Sequence, residues 1–306
     1  MKLFRSAMRH YRRYKSGGKH FEYAEKYRSD SENGDYAAAV ANALKNQKSF
    51  DNFKRSVDYQ SVLEHVSYDQ GNDYLEILIQ RDDGFIKEGL NTVLVHDDVG
   101  NPIKHPYPAM DISLSPTTLR YLKVTSDLHG LFGKDLGEVA EIGCGYGGQA
   151  FVNDQMLNLQ LSILFDLPIV NKLIDRYLGS FLLNGAYQTT VINKVQPKSY
   201  DLVISNYAFS ELPTELQLAY IKKVIAKSSK GYLTMNSGLG GPHSSGKLFL
   251  EQLQTYLPEF EIFEESPVIS KYNYIIVWGH KHNFSSEWLI PKKETLHQPE
   301  PVPTTK

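Results

Sequence analysis

Glu141, Gly143, Gly145, Gly147 and Gly148 fall within the stretch Val139-Ala-Glu-Ile-Gly-Cys-Gly-Tyr-Gly-Gly148, where a short apolar run enters a glycine cluster. Glycines at a strand-to-helix turn let the backbone bend sharply and meet a ligand with no side chain between. Two spacings fit. Gly143, Gly145 and Gly148 make the G-x-G-x-x-G of a dinucleotide site, with a pyrophosphate at the helix start. Glu141 ahead of Gly143, Gly145 and Gly147 suits a nucleoside ligand that carries positive charge, because a carboxylate sits poorly against a pyrophosphate. Asp166, in Ile163-Leu-Phe-Asp-Leu-Pro168, is a second carboxylate at the end of the next apolar run. There it can accept hydrogen bonds from ribose hydroxyls in either case.

Such residues need elements that bring their loops to one edge. Ser115 reads as the N-cap and Pro116 as the first turn of a helix. After it the pattern predicts a strand over 138–142, a helix over 149–158, a strand over 161–166 and a helix over 169–184. Buried strands over 189–192 and 201–205 follow, then a helix from Pro213 to about Ala226, a strand over 231–236 and a helix over 247–257. Strand alternating with helix implies an α/β fold with a parallel, doubly wound sheet. The last two strands, 259–264 and 274–278, are joined by about ten residues, too few for a crossover helix, so one of them must run antiparallel. Residues 1–110 read as a mostly helical N-terminal cap, with Tyr36–Leu44 (YAAAVANAL) as strong helix-forming material. Residues 111–282 then hold the sheet, and the Pro-rich, polar 283–306 reads as an unstructured tail.

The chain of 306 residues, 41% hydrophobic and 22% charged, has the balance of a soluble globular protein, and its net charge of −2 gives no reason to expect a nucleic-acid partner. Residues 1–20 hold Lys2, Arg5, Arg9, Arg12, Arg13, Lys15 and Lys19 with no acid. They are read as a solvated terminus or as a contact for an anionic membrane surface or an acidic partner such as a glycosyltransferase. No apolar run approaches the ~18 residues of a membrane span. The single cysteine, Cys144, excludes an internal disulfide and fits a reducing compartment, so a cytoplasmic location is expected.

The ordered set EIGCGYGG (141–148), FDLP (165–168) and YDLVISNYAFSELP (200–213) resembles motifs I, II and IV of class I S-adenosylmethionine (SAM) methyltransferases. With SPTTLRYL (115–122) ahead of the first strand, the chain looks like the bacterial sugar O-methyltransferase family found with polysaccharide and O-antigen synthesis. The resemblance covers roughly residues 50–280 and implies a Rossmann-like sheet of seven strands ending in a reversed β-hairpin. It implies SAM as cofactor and a small-molecule or glycan acceptor, with another hydroxylated metabolite or a non-catalytic SAM-binding role as alternatives. By it, Gly143, Cys144 and Gly145 would line methionine and ribose, Asp166 and Leu167 would contact ribose and adenine, and Ser205 and Asn206 would approach the methionine portion. Asn193 occupies the neighbourhood of the usual acidic adenine contact.

Methyl transfer to an alcohol needs in-line approach and usually a base for the hydroxyl proton. His243, in the glycine-rich NSGLGGPHSSG, is one candidate, with a solvated loop histidine as the other reading. Glu211 is the second, with a helix-terminal carboxylate as its alternative. Tyr207 offers an aromatic face to adenine or a sugar ring. Arg120 and Tyr121 are placed to reach the cofactor carboxylate or cover the pocket, and Tyr107 to close over the acceptor. His96-Asp97-Asp98 is the one compact cluster of metal-ligand types, and the Gly-Asn-Pro turn after it explains it without a metal; none is expected.

Overall fold

The computed structural model describes residues 35–60, 62–81, 84–236, 248, 250–257, 259–280 and 289–292. The basic segment 1–20, the glycine-rich loop with His243, and the tail apart from 289–292 lie outside the described residues. The longer cap helices among the described residues are α1 (Asp35–Leu44), α2 (Tyr68–Arg81) and α3 (Phe85–His96), with short helical turns at Gln47–Phe50 and Val57–Gln60 between the first two. A small antiparallel hairpin, β1 (His105–Tyr107) with β2 (Ile112–Leu114), leads into the long helix α4 (Pro116–Phe132). The α/β part runs β3 (Asp135–Ile142), α5 (Gly148–Met156), β4 (Asn158–Phe165), α6 (Pro168–Leu178) and β5 (Ala186–Thr190). It continues with β6 (Leu202–Asn206), α7 (Thr214–Lys223), β7 (Lys230–Met235), α8 (Leu250–Gln254), β8 (Glu261–Glu264) and β9 (Tyr274–Trp278).

The sheet has seven strands in the order β5-β4-β3-β6-β7-β9-β8. All are parallel except β9, which pairs antiparallel with both β7 and β8. This is the seven-stranded sheet with a reversed strand that the resemblance implies, and the short final connection requires the reversal. The reversed strand is the last in sequence but sits inside the sheet, and that position explains its continuous apolar run, Tyr274-Ile-Ile-Val-Trp278, buried throughout.

Two expected strand features differ. The run at 189–192 was expected to be buried, yet β5 covers 186–190 at the sheet's outer edge, half-buried or exposed, and Ile192 lies in a 3₁₀ turn. An edge strand has one neighbour and keeps one side open to water, which its polar Tyr-Gln-Thr-Thr sequence accommodates. At the opposite edge, residues 289–292 do not behave as a loose tail: the Glu264 amide donates to Ile290 O at 2.8 Å and the Lys292 amide to Ile262 O at 3.0 Å, while Leu289 is fully buried. The apolar Leu-Ile pair covers the otherwise unpaired edge of β8. Helix α6 stops at Leu178 rather than near 184, because Gly179 closes it with a bond from its amide to Asp175 O.

Cap and sheet share one core. A cluster of buried side chains runs without a break from Ala39 and Val40 in α1 through α4 to Ile275 and Val277 in β9. Aromatic contacts lock the cap down. Phe53 meets Tyr59 edge-on at 4.9 Å, Tyr146 meets Tyr177 at 4.8 Å, and the Lys54 ammonium lies 4.3 Å above the Tyr146 ring. Among the described residues no helix is long and apolar enough to cross a membrane.

Helix α4 is the spine between the layers. Ser115 caps it, accepting from the Thr118 amide, and buried Asp97 adds a second cap by accepting from the Ser115 amide at 2.7 Å and the Thr118 hydroxyl at 2.6 Å. Further along, Asp127 is fully buried and accepts from Arg81 at 2.6 Å, Lys123 at 2.7 Å and the Tyr232 hydroxyl at 2.6 Å. Burial alone pushes its carboxyl up, but the Lys123 and Arg81 cations outweigh that and hold it below the usual range. Removing the acid leaves two cations buried together. Asp127→Ala is therefore expected to lower the unfolding free energy by about 3–5 kcal/mol in urea titrations. Adding Arg81→Met and Lys123→Met to that variant should restore most of the loss.

Candidate active site

Parallel strands in register bring their carboxyl ends to one edge. Ile142 pairs with Phe165, Glu141 with Ile204, and Asn206 with Thr234, so the loops after β3, β4, β6 and β7 open side by side. They surround a cavity of about 570 Å³, within the range of small-molecule sites. The cap lies over it.

One half is a nucleoside-sized slot. Gly143 (φ +75) and Gly145 (φ +59) form its floor, both in the left-handed region. A Cβ on Gly143 would come within 2.0 Å of Ala208 Cβ, which excludes a side chain there, and one on Gly145 would press on the Leu63 tip at 3.0 Å in a backbone conformation that favours glycine. Asp166 stands at the end of β4, where its two oxygens accept from the Gly145 amide at 3.0 Å and the Leu167 amide at 2.8 Å. Burial raises its pKa to about 6, against the pull of those amides. Each carboxylate oxygen keeps a lone pair for a hydroxyl donor. Leu167, Ile192, Leu216 and Tyr220 supply flat apolar walls, and Asn193 stands at the exposed rim.

The other half is polar and aromatic. Asn206 ends β6 and Tyr207 follows it, and Glu211 and Asn236 face each other with a 2.7 Å bond from the Asn236 amide group. Tyr207 adopts φ +68, a strained conformation for a bulky side chain. Its hydroxyl donates to buried Glu265, whose other oxygen accepts from Asn273 Nδ2 at 2.7 Å and the Ile269 amide at 3.0 Å. These bonds draw the β8–β9 loop into the wall, where Ile269, Ser270, Tyr272 and Asn273 line the cavity. Arg120 enters from α4, and His65, Gln70 and Tyr74 come down from the cap. Burial and, second, the Arg120 charge lower the His65 pKa to about 4, although its side chain keeps an exposed edge.

Of the residues singled out in the sequence, Gly143, Gly145, Asp166, Leu167, Asn193, Asn206, Tyr207, Glu211 and Arg120 line this one cavity. Five others sit elsewhere. Glu141 is buried beneath the loop, and burial with the Asp166 charge raises its pKa to about 8, so at neutral pH it is mostly a neutral acid rather than the expected carboxylate beside a cation. The Cys144 side chain turns inward, its thiol donating to Glu141 O at 3.3 Å, and burial keeps it protonated. Ser205 is fully buried; its hydroxyl donates to Ile142 O at 2.8 Å and accepts from the Phe209 amide, a brace between β3 and β6. Tyr121 packs beneath Gly148 and Tyr146. Tyr107 stacks on Tyr68 with its hydroxyl against Gly71, and it is buried in the hairpin, not poised over the cavity. His96 and Asp97 part company, the imidazole bonding Tyr177 and the carboxylate capping α4. Among the described residues no cluster of three or more metal-ligating side chains occurs.

Sequence reasoning missed His65, Gln70, Tyr74, Tyr220, Asn236 and the 269–273 segment. They carry no motif, and only folding brings the cap and the β8–β9 loop to the strand ends.

No protein-family model and no curated protein matches the chain. Solved structures do. The methyltransferase domain of bacterial CtHen1-CN aligns at 12% identity over 52% of this chain and 96% of its own, with a TM-score of 0.39. Magnesium protoporphyrin IX methyltransferase from Synechocystis PCC 6803, solved with bound S-adenosylhomocysteine, aligns at 18% identity over 52% of this chain and 80% of its own, TM-score 0.38. The YcgJ protein from Bacillus subtilis aligns at 13% identity over 41% of this chain, TM-score 0.32, and the match spans 62% of that protein's length.

Proposed function

We propose that the protein is a SAM-dependent O-methyltransferase that methylates a hydroxyl of a sugar or sugar-bearing acceptor. The observation that carries this reading is a single chamber with two unlike halves: a glycine-floored slot with Asp166 at its side, opening directly onto a polar, aromatic wall. The slot fits the cofactor. Asp166 presents free carboxylate lone pairs to a ribose diol, Leu167, Ile192 and Leu216 fit an adenine face, and Asn193 supplies an amide at its edge. Bound SAM supplies a sulfonium-activated methyl group.

The residues of this chain do the rest. Tyr207 and Asn206 form the boundary between the two halves, and the bond from Tyr207 to Glu265 fixes that boundary in place. Tyr74, Tyr207 and Tyr272 offer rings on which a sugar can stack, while Gln70, Asn236 and Ser270 offer hydrogen bonds to its hydroxyls. Glu211 accepts the acceptor's proton, held towards the cavity by Asn236 Nδ2. Leu63, Val66 and Ile269 limit water at the reacting oxygen.

Calorimetric titration with S-adenosylhomocysteine, with NADH in parallel, is the first test. Micromolar binding of the former, weakened at least tenfold in Asp166→Ala, is expected; binding of NADH alone would overturn the reading. A sugar screen should then give a product heavier by one CH₂ unit.

The same titration has a defined pH course. With the Asp166 pKa at about 6, the ionised fraction rises from about one-tenth at pH 5 to about nine-tenths at pH 7, while Glu141, at about 8, stays mainly protonated. Affinity for S-adenosylhomocysteine is expected to climb roughly tenfold over that interval in the wild type and to stay flat in Asp166→Asn.

In single-turnover assays Glu211→Gln should slow methyl transfer by about 10²-fold or more and leave S-adenosylhomocysteine affinity within twofold.

A further inference from the structure

Among the described residues two cations packed inside the protein, Lys54 and Arg120, have rings beside them and no acid within ion-pair distance, and of the two only Arg120 lines the cavity. Arg81 and Lys123 converge on Asp127 within 2.7 Å. Arg120, three residues before Lys123 on the same helix, lines the cavity, and among the described residues no acidic side chain lies within ion-pair distance of its guanidinium. Its neighbours are rings: the guanidinium carbon lies 5.6 Å from the Tyr121 centroid and 6.0 Å from that of Tyr207. Aromatic faces hold a guanidinium in place without neutralising it. Glu265 is engaged by Tyr207, Asn273 and Ile269, and Glu64, which senses Arg120 electrostatically, lies beyond ion-pair reach. A partly desolvated cation without a counter-charge costs stability, and a bound anion would recover that cost.

The position of Arg120 says which half the anion occupies. Besides the main chamber, Arg120 lines a small adjoining recess on the side away from the slot, formed with Lys123 of α4, Tyr74 of α2, Asn206 of β6, Thr234 of β7, Ile275 of β9 and Glu265, whose carboxylate is already engaged by Tyr207 and Asn273. Nothing from β4 or β5, which bound the nucleoside slot, contributes to it. Resting on the methyltransferase reading, we propose that Arg120 binds an anionic group of the acceptor, a carboxylate or phosphate carried by the sugar, and selects acidic over neutral acceptors. A planar guanidinium can grip either group with two hydrogen bonds.

The test compares wild type, Arg120→Gln and Arg120→Lys. Each is titrated with S-adenosylhomocysteine and with 5′-methylthioadenosine, which lacks the amino-acid carboxylate. Each is then given glucuronate, glucose 1-phosphate and methyl glucoside at saturating cofactor product, with thermal shift as readout, and at saturating SAM, with methyl transfer as readout. The expected result is S-adenosylhomocysteine affinity within threefold in all three proteins. An acidic sugar should be preferred over methyl glucoside by at least tenfold in the wild type, less in Arg120→Lys and not at all in Arg120→Gln.

Two results overturn the proposal. One is a tenfold loss of S-adenosylhomocysteine affinity in Arg120→Gln with methylthioadenosine unchanged, which would assign the arginine to the cofactor carboxylate. The other is a wild type that does not distinguish acidic from neutral sugars. The binding arm separates this proposal from the activity. If no sugar is methylated, a thermal shift by glucuronate or glucose 1-phosphate that Arg120→Gln abolishes still supports the anion site, and the absence of any shift overturns it.

Discussion

The site depends on how closely two chain reversals approach each other. The loop after β3 and the turn after β6 meet at Gly143 and Ala208, where a single added methyl would fall 2.0 Å from its neighbour. Only because both residues are small can the ends of β3 and β6 stay paired while their loops splay apart to leave a chamber. Tyr207 bears the strain: its left-handed backbone costs on the order of 1–3 kcal/mol. Hydrogen bonds surround it on every side, from the Phe209 amide to Ser205, from the Ser210 hydroxyl to Tyr207 O, and from the Tyr207 ring to Glu265. That strained turn aims an aromatic side chain across the boundary between the two halves.

Buried charge is used in two different ways. At Asp127 one acid faces two cations and a phenol, the network is closed, and its value lies in fixing α4 between the cap and the sheet. At the strand ends two acids face each other without a cation. Glu141 and Asp166 both have raised pKa values, and the Asp166 charge contributes to the shift of Glu141. Backbone amides favour ionisation of Asp166, whereas Glu141 lies deeper, so the proton stays on Glu141 and the charge on Asp166. The pair keeps one negative charge beside the nucleoside slot at neutral pH, where hydroxyl donors can use it.

The α/β framework was legible in the sequence because its signals are local: apolar runs of strand length, the Ser115-Pro116 helix start, and a final connection too short for a crossover. The residues of the glycine-floored slot and its boundary were legible for the same reason, since Asp166 ends a predicted strand and Gly143, Gly145 and Asn206 lie in the loops that follow two others. What failed was the direction of side chains. Cys144 and Ser205 belong to the right motifs, but each spends its polar atom on a main-chain carbonyl, and sequence spacing does not reveal that. Tyr107 failed because its exposure depends on Tyr68 and Gly71, whose positions are set by helix packing.

The polar, aromatic wall was the least legible part, and the reason lies in where its residues come from. Apart from Asn206, Tyr207, Glu211 and Asn236 at the strand ends, its members come from the cap, from α4 and from the β8–β9 loop, segments far apart in the chain and joined through the shared core. None is needed to form the parallel strands, so each can change without disturbing the slot that Asp166 and the glycines define. Tyr207 is the exception, tied to the strand end on one side and to Glu265 on the other. A substitution there would alter the wall and release the β8–β9 loop together, whereas changes at His65, Gln70 or Tyr74 would alter only what the wall presents. What the wall presents is therefore most freely adjusted from the cap, whereas the strand ends fix the slot beside it.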